Sequence, residues 1–447
     1  MVDESAPARQ RVVIVGAGFT GLAAALKLAQ RGVAVTVLEQ DTQVGGLASG
    51  FTVGDTHVLE KFYHHWFTSD RYVMDLISEL DASDQVLLRR TRTGMFYSGS
   101  LFRLSTPLDL LRFSALGFAD RIRLGVLALR ARSVRDWRSL EALTAAQWLR
   151  GMAGDRVYRV VWEPLLRSKF GEFADDVSAV WMWNKLKLRG GSRGADGAET
   201  LAYFRGGFPA LAQRLQREIE RLGGSVLTGV AAEGLRCETG GVRAVATAAG
   251  EIPADAVIAT PALPLVARLL QGHVAAPYVE ALSRVRYLAN VCLVMEMDRS
   301  LSETYWLNVN DPGFPFVGVV EHTNFEPAAH YGGRHIAYLS RYLPETDPMY
   351  SLPADEVMAF CLPHLQRIFP AFQADWVLQH HVWRARYAQP VVTRDYPRTI
   401  PDMQTPLPGV YIASMAQIYP EDRGTNYAVR SGQRVADVVT GFLSRDR

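Results

Sequence analysis

Arg11-Val12-Val13-Ile14-Val15-Gly16-Ala17-Gly18-Phe19-Thr20-Gly21 decides how the rest of the chain is read. Residues 11–15 are short, apolar and mostly β-branched, as in a strand buried on both faces. Good helix formers follow over 22–30. Gly32 closes that helix, and 33–38 reads as a second strand ending at Glu39. In a strand–turn–helix–strand unit each glycine has a purpose. Gly16 permits the tight turn, Gly18 lets the backbone approach a pyrophosphate, and Gly21 lets helix and strand pack closely. The helix N-terminus, at Phe19 and Thr20, offers unpaired N–H groups and a positive dipole end to phosphates. Glu39, with Gln40 beside it, stands where a carboxylate accepts hydrogen bonds from a ribose diol. Together these features predict an α/β fold with a Rossmann-like dinucleotide-binding domain.

Composition narrows the field. The 447 residues fit about two domains, with 48% hydrophobic and 21% charged side chains, which is globular usage. A net charge of +2 provides no field to recruit nucleic acid. Cys237, Cys292 and Cys361 lie far apart, with neither a redox pair nor a metal-like spacing. No segment reaches the roughly 18 uncharged apolar residues of a membrane span. Residues 1–10 lack a signal layout, so the expected location is cytoplasmic, free or peripheral to a membrane.

Beyond Glu39 comes Gly45-Gly46-Leu47. The pattern Glu39-x5-Gly45-Gly46 resembles the extended ADP-binding motif of the FAD-dependent amine oxidase, protoporphyrinogen oxidase and phytoene desaturase superfamily. Gln43 stands where that family often has arginine. Gly206-Gly207-Phe208-Pro209, a helix over 212–222 and Gly223-Gly224 are similar to the family's return to its nucleotide domain. The strand 225–230 then puts Val230 at the position whose backbone meets the adenine. A hairpin with strands at 234–238 and 242–248 comes next. The strand at 254–261 resembles one that ends beside the cofactor, at Thr260.

The C-terminal resemblance is the strand 409–413 followed by Gly424-Thr425-Asn426, which start the last helix. In the family that helix aims its N-terminus at the flavin, where the dipole favours reduced-flavin charge. Ser414-Met415 replaces the usual glycine–acid pair of the ribityl site, and Asp422 is the candidate substitute. The resemblance implies a glutathione-reductase type FAD-binding domain over 9–60, 204–275 and 398–447. It also implies a discontinuous α+β substrate domain over 61–203 and 276–397, a helical lobe with a sheet floor. Helices are expected at 72–80, 119–132, 144–149 and 155–166, and strands at 287–297, 316–321 and 335–342. The glycine-rich 190–197 reads as a loop.

Lys61, His64 and His65 follow the first FAD segment, where such residues bind anions or shuttle protons. Adjacent histidines on an extended chain face opposite ways, so no shared metal is expected. Arg423, just before the last helix, is a candidate partner for an anionic flavin or substrate. Trp162, Lys169, Trp181, Trp183, Lys185, Lys187 and Arg189 suggest an aromatic pocket for an acidic head group, with a helix core plus solvated face as the plainer reading. The stretch 102–134 mixes leucines with arginines and suits either amphipathic core helices or a membrane surface. No lysine follows Lys187 and no cysteine follows Cys361. Relative to the family this disfavours a monoamine oxidase type and implies non-covalent FAD.

The resulting expectation is hydride transfer from a small-molecule substrate, lipophilic or sugar-linked, to flavin N5, with oxygen or a quinone as acceptor. Two alternatives stand beside it. One is a reduced-flavin isomerase resembling UDP-galactopyranose mutase, and the other is a non-catalytic flavin-holding subunit.

Overall fold

A computed structural model describes residues 9–54, 56–103, 107–191 and 199–444. From Ser192 onward the expected 190–197 loop lies outside the described residues, as do residues 1–8 and 104–106. The fold is mixed α/β. Its first layer is a five-stranded, all-parallel sheet ordered Ser225–Thr228, Ala34–Glu39, Arg11–Val15, Ala256–Ala259, Val410–Ile412. Parallel strands need crossovers, and the helix Phe19–Gln30 supplies the first. Its Leu22, Ala23, Ala24, Ala25 and Leu26 are buried almost completely.

The C-terminal helix Thr425–Leu443 crosses that helix at very short range. A Cβ on Gly432 would sit 2.2 Å from the Thr20 carbonyl oxygen, so only glycine lets the two backbones meet. This contact brings the two ends of the sequence together. It also fixes where the last helix begins.

A seven-stranded sheet forms the second layer, ordered Val377–Pro390, Tyr287–Met297, His335–Leu343, Gly318–Glu321, Trp306–Val309, Thr93–Tyr97, Ser100–Arg103. The strands expected from 287, 316 and 335 are all present. The first intervening piece, expected to be helical, does contain helices at Arg71–Glu79, Phe118–Ser133 and Ala145–Ala153. It also gives Thr93–Tyr97 and Ser100–Arg103 to this sheet, and Val86–Thr91 and Glu199–Phe204 to a smaller one. Arginines at 89, 90, 92 and 103 mask the strand alternation there, because partly exposed edge strands tolerate charge. The expected hairpin is a three-stranded meander, Gly234–Glu238, Gly241–Thr247 and Gly250–Pro253.

Candidate functional site

The glycine turn is built as its spacing requires. Gly16 has φ +99°, and a Cβ there would meet Thr260 Oγ1 at 2.5 Å. Thr260 in turn donates its hydroxyl to the Val15 carbonyl at 2.8 Å and so pins the turn from the neighbouring strand. A Cβ on Gly21 would lie 2.0 Å from the Gly16 carbonyl oxygen, so helix and strand cannot pack this way with any other residue.

Gly18 differs, since a Cβ there meets nothing within 4 Å. It begins the helix with no side-chain cap, leaving the first N–H groups aimed at open space. Gly45 and Gly46, at φ +112° and +56°, close the cradle's other wall. Gly45 N–H donates to the Ala17 carbonyl at 2.8 Å, and a Cβ on Gly46 would come 3.3 Å from Gly18 Cα. Leu47 is half-buried in the single turn that follows.

Glu39 is buried, accepting from Ala17 N–H at 2.8 Å and Asp41 N–H at 3.0 Å. Burial raises its carboxyl above the usual range, and those backbone N–H groups partly offset the rise. The Val230 N–H donates to the Glu39 carbonyl at 2.8 Å. Phe19 and Thr20 form the first turn of the helix, and Gln40 is exposed beside Glu39. Gln43 donates to the Gly50 carbonyl at 2.8 Å, a local structural bond.

At the other end, Thr425 Oγ1 accepts from Trp66 Nε1 at 2.6 Å, and Asn426 Oδ1 accepts from Val73 N–H at 3.2 Å. Both tie the N-terminus of the last helix to the 61–73 segment. Gly424 caps that helix without a side-chain bond, so its first N–H groups are presented freely. Ser414 forms a capping box with Gln417.

Asp422 is buried, and it pairs with Lys185 and accepts from Gln389 Nε2 at 3.3 Å. Burial opposes its ionisation, but Lys185, Lys169 and Arg423 outweigh that and hold the carboxyl well below the usual range. Its carboxylate thus faces Lys185, on the helix Ala179–Gly191. Arg423 donates from Nε to Gln389 Oε1 at 3.1 Å and from a terminal nitrogen to the Tyr342 hydroxyl at 2.8 Å. The Lys169 ammonium lies 4.7 Å from the Trp181 ring centre and 5.3 Å from that of Tyr342. Lys185 lies 5.6 Å from Trp181 on its own helix. Three cations thus converge on one carboxylate.

Of the four candidate catalytic side chains, His64 feels the charge of Arg423, while His65 and Lys61 turn to other partners. His64 Nδ1 bonds the Phe62 carbonyl at 2.6 Å, and its ring packs on Phe208. Burial lowers its pKa to about 4, with Arg423 and His65 adding to the effect, so it is neutral at physiological pH. That bond requires the proton on Nδ1 and makes Nε2 the acceptor. His65 turns the other way, to the Tyr305 hydroxyl at 2.9 Å and the Trp306 ring. Lys61 sits over the Trp383 ring at 5.0 Å. Tyr63 is half-buried, with its ring edge-on to Trp306 and Tyr338, and desolvation pushes its hydroxyl pKa up.

The sequence offers Glu60 only as the carboxylate of the polar 60–66 stretch, whereas the structure makes it a hub. It is wholly buried and accepts from the Tyr203 hydroxyl at 2.8 Å and Phe208 N–H at 2.7 Å. Burial raises its pKa to about 7 despite those donors. A Cβ on Gly207 would reach within 2.6 Å of its Oε1, which explains the second glycine of Gly206-Gly207. Among the described residues there is no group of three or more potential metal ligands.

A family profile described as flavin containing amine oxidoreductase matches residues 19–440. The chain belongs to this family. Its members are FAD-dependent oxidoreductases, and the glycine cradle fits that cofactor. Among curated proteins, the carotenoid phi-ring synthase of Streptomyces griseus is 30% identical over 183 residues. That match covers 36% of this chain and about a third of the relative, 35%. Among solved structures, an oxidoreductase from Methanosarcina mazei superposes with a TM-score of 0.75 at 18% identity, covering 96% of this chain and 100% of that one. Reduced UDP-galactopyranose mutase gives 0.75 at 15% identity, covering 97% and 96%. At such identities the solved structures establish the fold. No helix among the described residues is long and apolar enough to cross a membrane.

Proposed function

We propose that this flavoprotein oxidises a small molecule bearing an anionic group. The observation that carries the reading is the convergence of Lys169, Lys185 and Arg423 on a single buried carboxylate, Asp422, directly before the last helix. Asp422 matches only one of the charges of Lys185 and Arg423, and the hydrogen bonds of Arg423 go to the neutral Gln389 and Tyr342, so the cluster favours a further anion. In this reading the parallel sheet is a Rossmann-like domain of glutathione-reductase type over 9–60, 204–275 and 398–447, and the seven-stranded sheet is the floor of the substrate domain over 61–203 and 276–397.

The open N–H groups at Gly18, with Gly45 and Gly46 opposite, would hold the pyrophosphate of FAD, and Glu39 would accept from its ribose. The chemistry supplied by bound, non-covalent FAD is acceptance of a hydride at N5 from a substrate C–H bond, with the electrons passed on to oxygen or a quinone. Arg423 orients the substrate anion and is itself held by Gln389 and Tyr342. Lys169 and Lys185 add charge, and Trp181 gives an apolar wall. His64 is neutral, so it adds no competing cation. A pKa of about 4 makes it a poor proton store at neutral pH.

The test is anaerobic mixing of the purified flavoprotein with carboxylate- or phosphate-bearing candidates. The reading expects bleaching of the flavin band by such a compound, weakened in Lys169→Met and Arg423→Met. Bleaching only by cationic amines, untouched by those variants, contradicts it. A second reading, a reduced-flavin sugar-nucleotide mutase, is favoured by the same cations, which also suit a diphosphate. It requires turnover of a sugar nucleotide only after dithionite reduction.

A further inference from the structure

The helix Phe118–Ser133 has two unlike faces. Leu124, Leu127 and Ala131 are buried. The Ala131 carbonyl accepts a hydrogen bond from Trp183 Nε1, on the helix Ala179–Gly191 that also carries Lys185, at 2.8 Å. The opposite side bears Phe118, Ile122 and Leu129, exposed by 71%, 47% and 64%. At a helical repeat of about 100° per residue these three fall within one narrow stripe. Single exposed apolar residues need no explanation, but three in line on one helix do.

Charge gathers near the stripe. The same projection puts Arg132 along one border and Arg130 further round on the other side, both exposed, while Arg121 is turned to the Leu111 and Leu116 carbonyls. Residues 107–135 hold six arginines and only two aspartates, in a chain whose overall balance is +2. One of the two acids, Asp120, is turned to Arg123 at 2.9 Å and Arg156 at 3.8 Å.

We propose that this face docks the protein on an anionic lipid bilayer. The apolar stripe enters the boundary between head groups and acyl chains, and exposed arginines such as Arg130 keep their stems on the apolar surface and their guanidinium groups at the lipid phosphates. An apolar strip in a segment with six arginines and two aspartates complements an anionic interface, where acidic lipids attract the cations. The proposal stands apart from the hydride reading, because vesicle binding needs no turnover.

The test is co-sedimentation of the flavin-loaded protein with phosphatidylglycerol–phosphatidylcholine vesicles and with phosphatidylcholine alone. Binding to the anionic vesicles is expected, falling about tenfold or more in Phe118→Glu/Ile122→Glu/Leu129→Glu and at high salt. The double variant Arg130→Gln/Arg132→Gln should lose the preference for anionic lipid. Phe360→Glu, an exposed apolar position on the helix Ala354–Ile368, should bind as wild type does. Undiminished flavin content in each variant shows that it has folded. No binding to anionic vesicles, equal binding to both kinds, or full binding by the triple variant would overturn the proposal. Self-association of the wild type without vesicle binding, abolished in the triple variant, would overturn it too, by making the face a contact between copies of this chain.

Discussion

Replacing Glu60 with glutamine should change how stability depends on pH. The carboxyl is wholly buried, and its folded pKa is about 7 against an ordinary 4.5. Between those values the folded chain binds a proton that the unfolded chain has released. Stability therefore falls as pH rises through that window, by about 1.4 kcal/mol for each pH unit, or roughly 3 kcal/mol in all. Glutamine keeps the shape: Oε1 can accept from Phe208 N–H and Nε2 can donate to the Tyr203 hydroxyl. It cannot ionise. The assay is thermal or urea unfolding of wild type and Glu60→Gln across the window. The wild type should lose about 3 kcal/mol more than the variant on going from the acid to the alkaline side. Parallel curves would refute the reasoning, and so would a variant that loses more.

Four further outcomes follow from the same geometry. Gly21→Ala puts a methyl 2.0 Å from the Gly16 carbonyl oxygen; it should cost about 3 kcal/mol or more and abolish flavin retention, read as absorbance per protein. Lys185→Met removes the closest partner of Asp422, whose depressed pKa contributes stability at neutral pH that is lost on acidification. With Lys169 and Arg423 still present the cost should be about 1–2 kcal/mol, seen as acid unfolding at higher pH. Thr425→Val breaks the bond to Trp66 and should cost about 1 kcal/mol and weaken FAD in a fluorescence titration. His64 should show the neutral Nδ1–H form in histidine NMR at neutral pH, and its low folded pKa predicts that its protonation destabilises the fold only in acid.

The nucleotide-binding half was legible because its signals are local. Gly16, Gly18 and Gly21 sit within six residues, and the strands on either side have the apolar runs of buried parallel strands. The substrate-side chemistry was not. Asp422 and Lys185 are 237 positions apart in sequence, and nothing in either segment announces the pairing. Glu60 reads as one polar residue in a mixed stretch until Tyr203, 143 positions away, is seen on it. Tyr63, Tyr342 and Gln389 occupy strand or loop positions where the alternation says only that a side chain points inward. Arg423 and His64 were named from their position in the chain. The partners of Arg423, Gln389 and Tyr342, became visible only once the strands Val377–Pro390 and His335–Leu343 were placed beside it.

The central claim, that the cradle at Gly18 and Gly45 holds a non-covalent FAD, is tested most directly by the visible spectrum of the purified protein before and after acid precipitation. Flavin bands that pass into the supernatant are the predicted result. A yellow pellet would contradict the non-covalent claim, and a protein that stays colourless when FAD is added would contradict the cofactor itself.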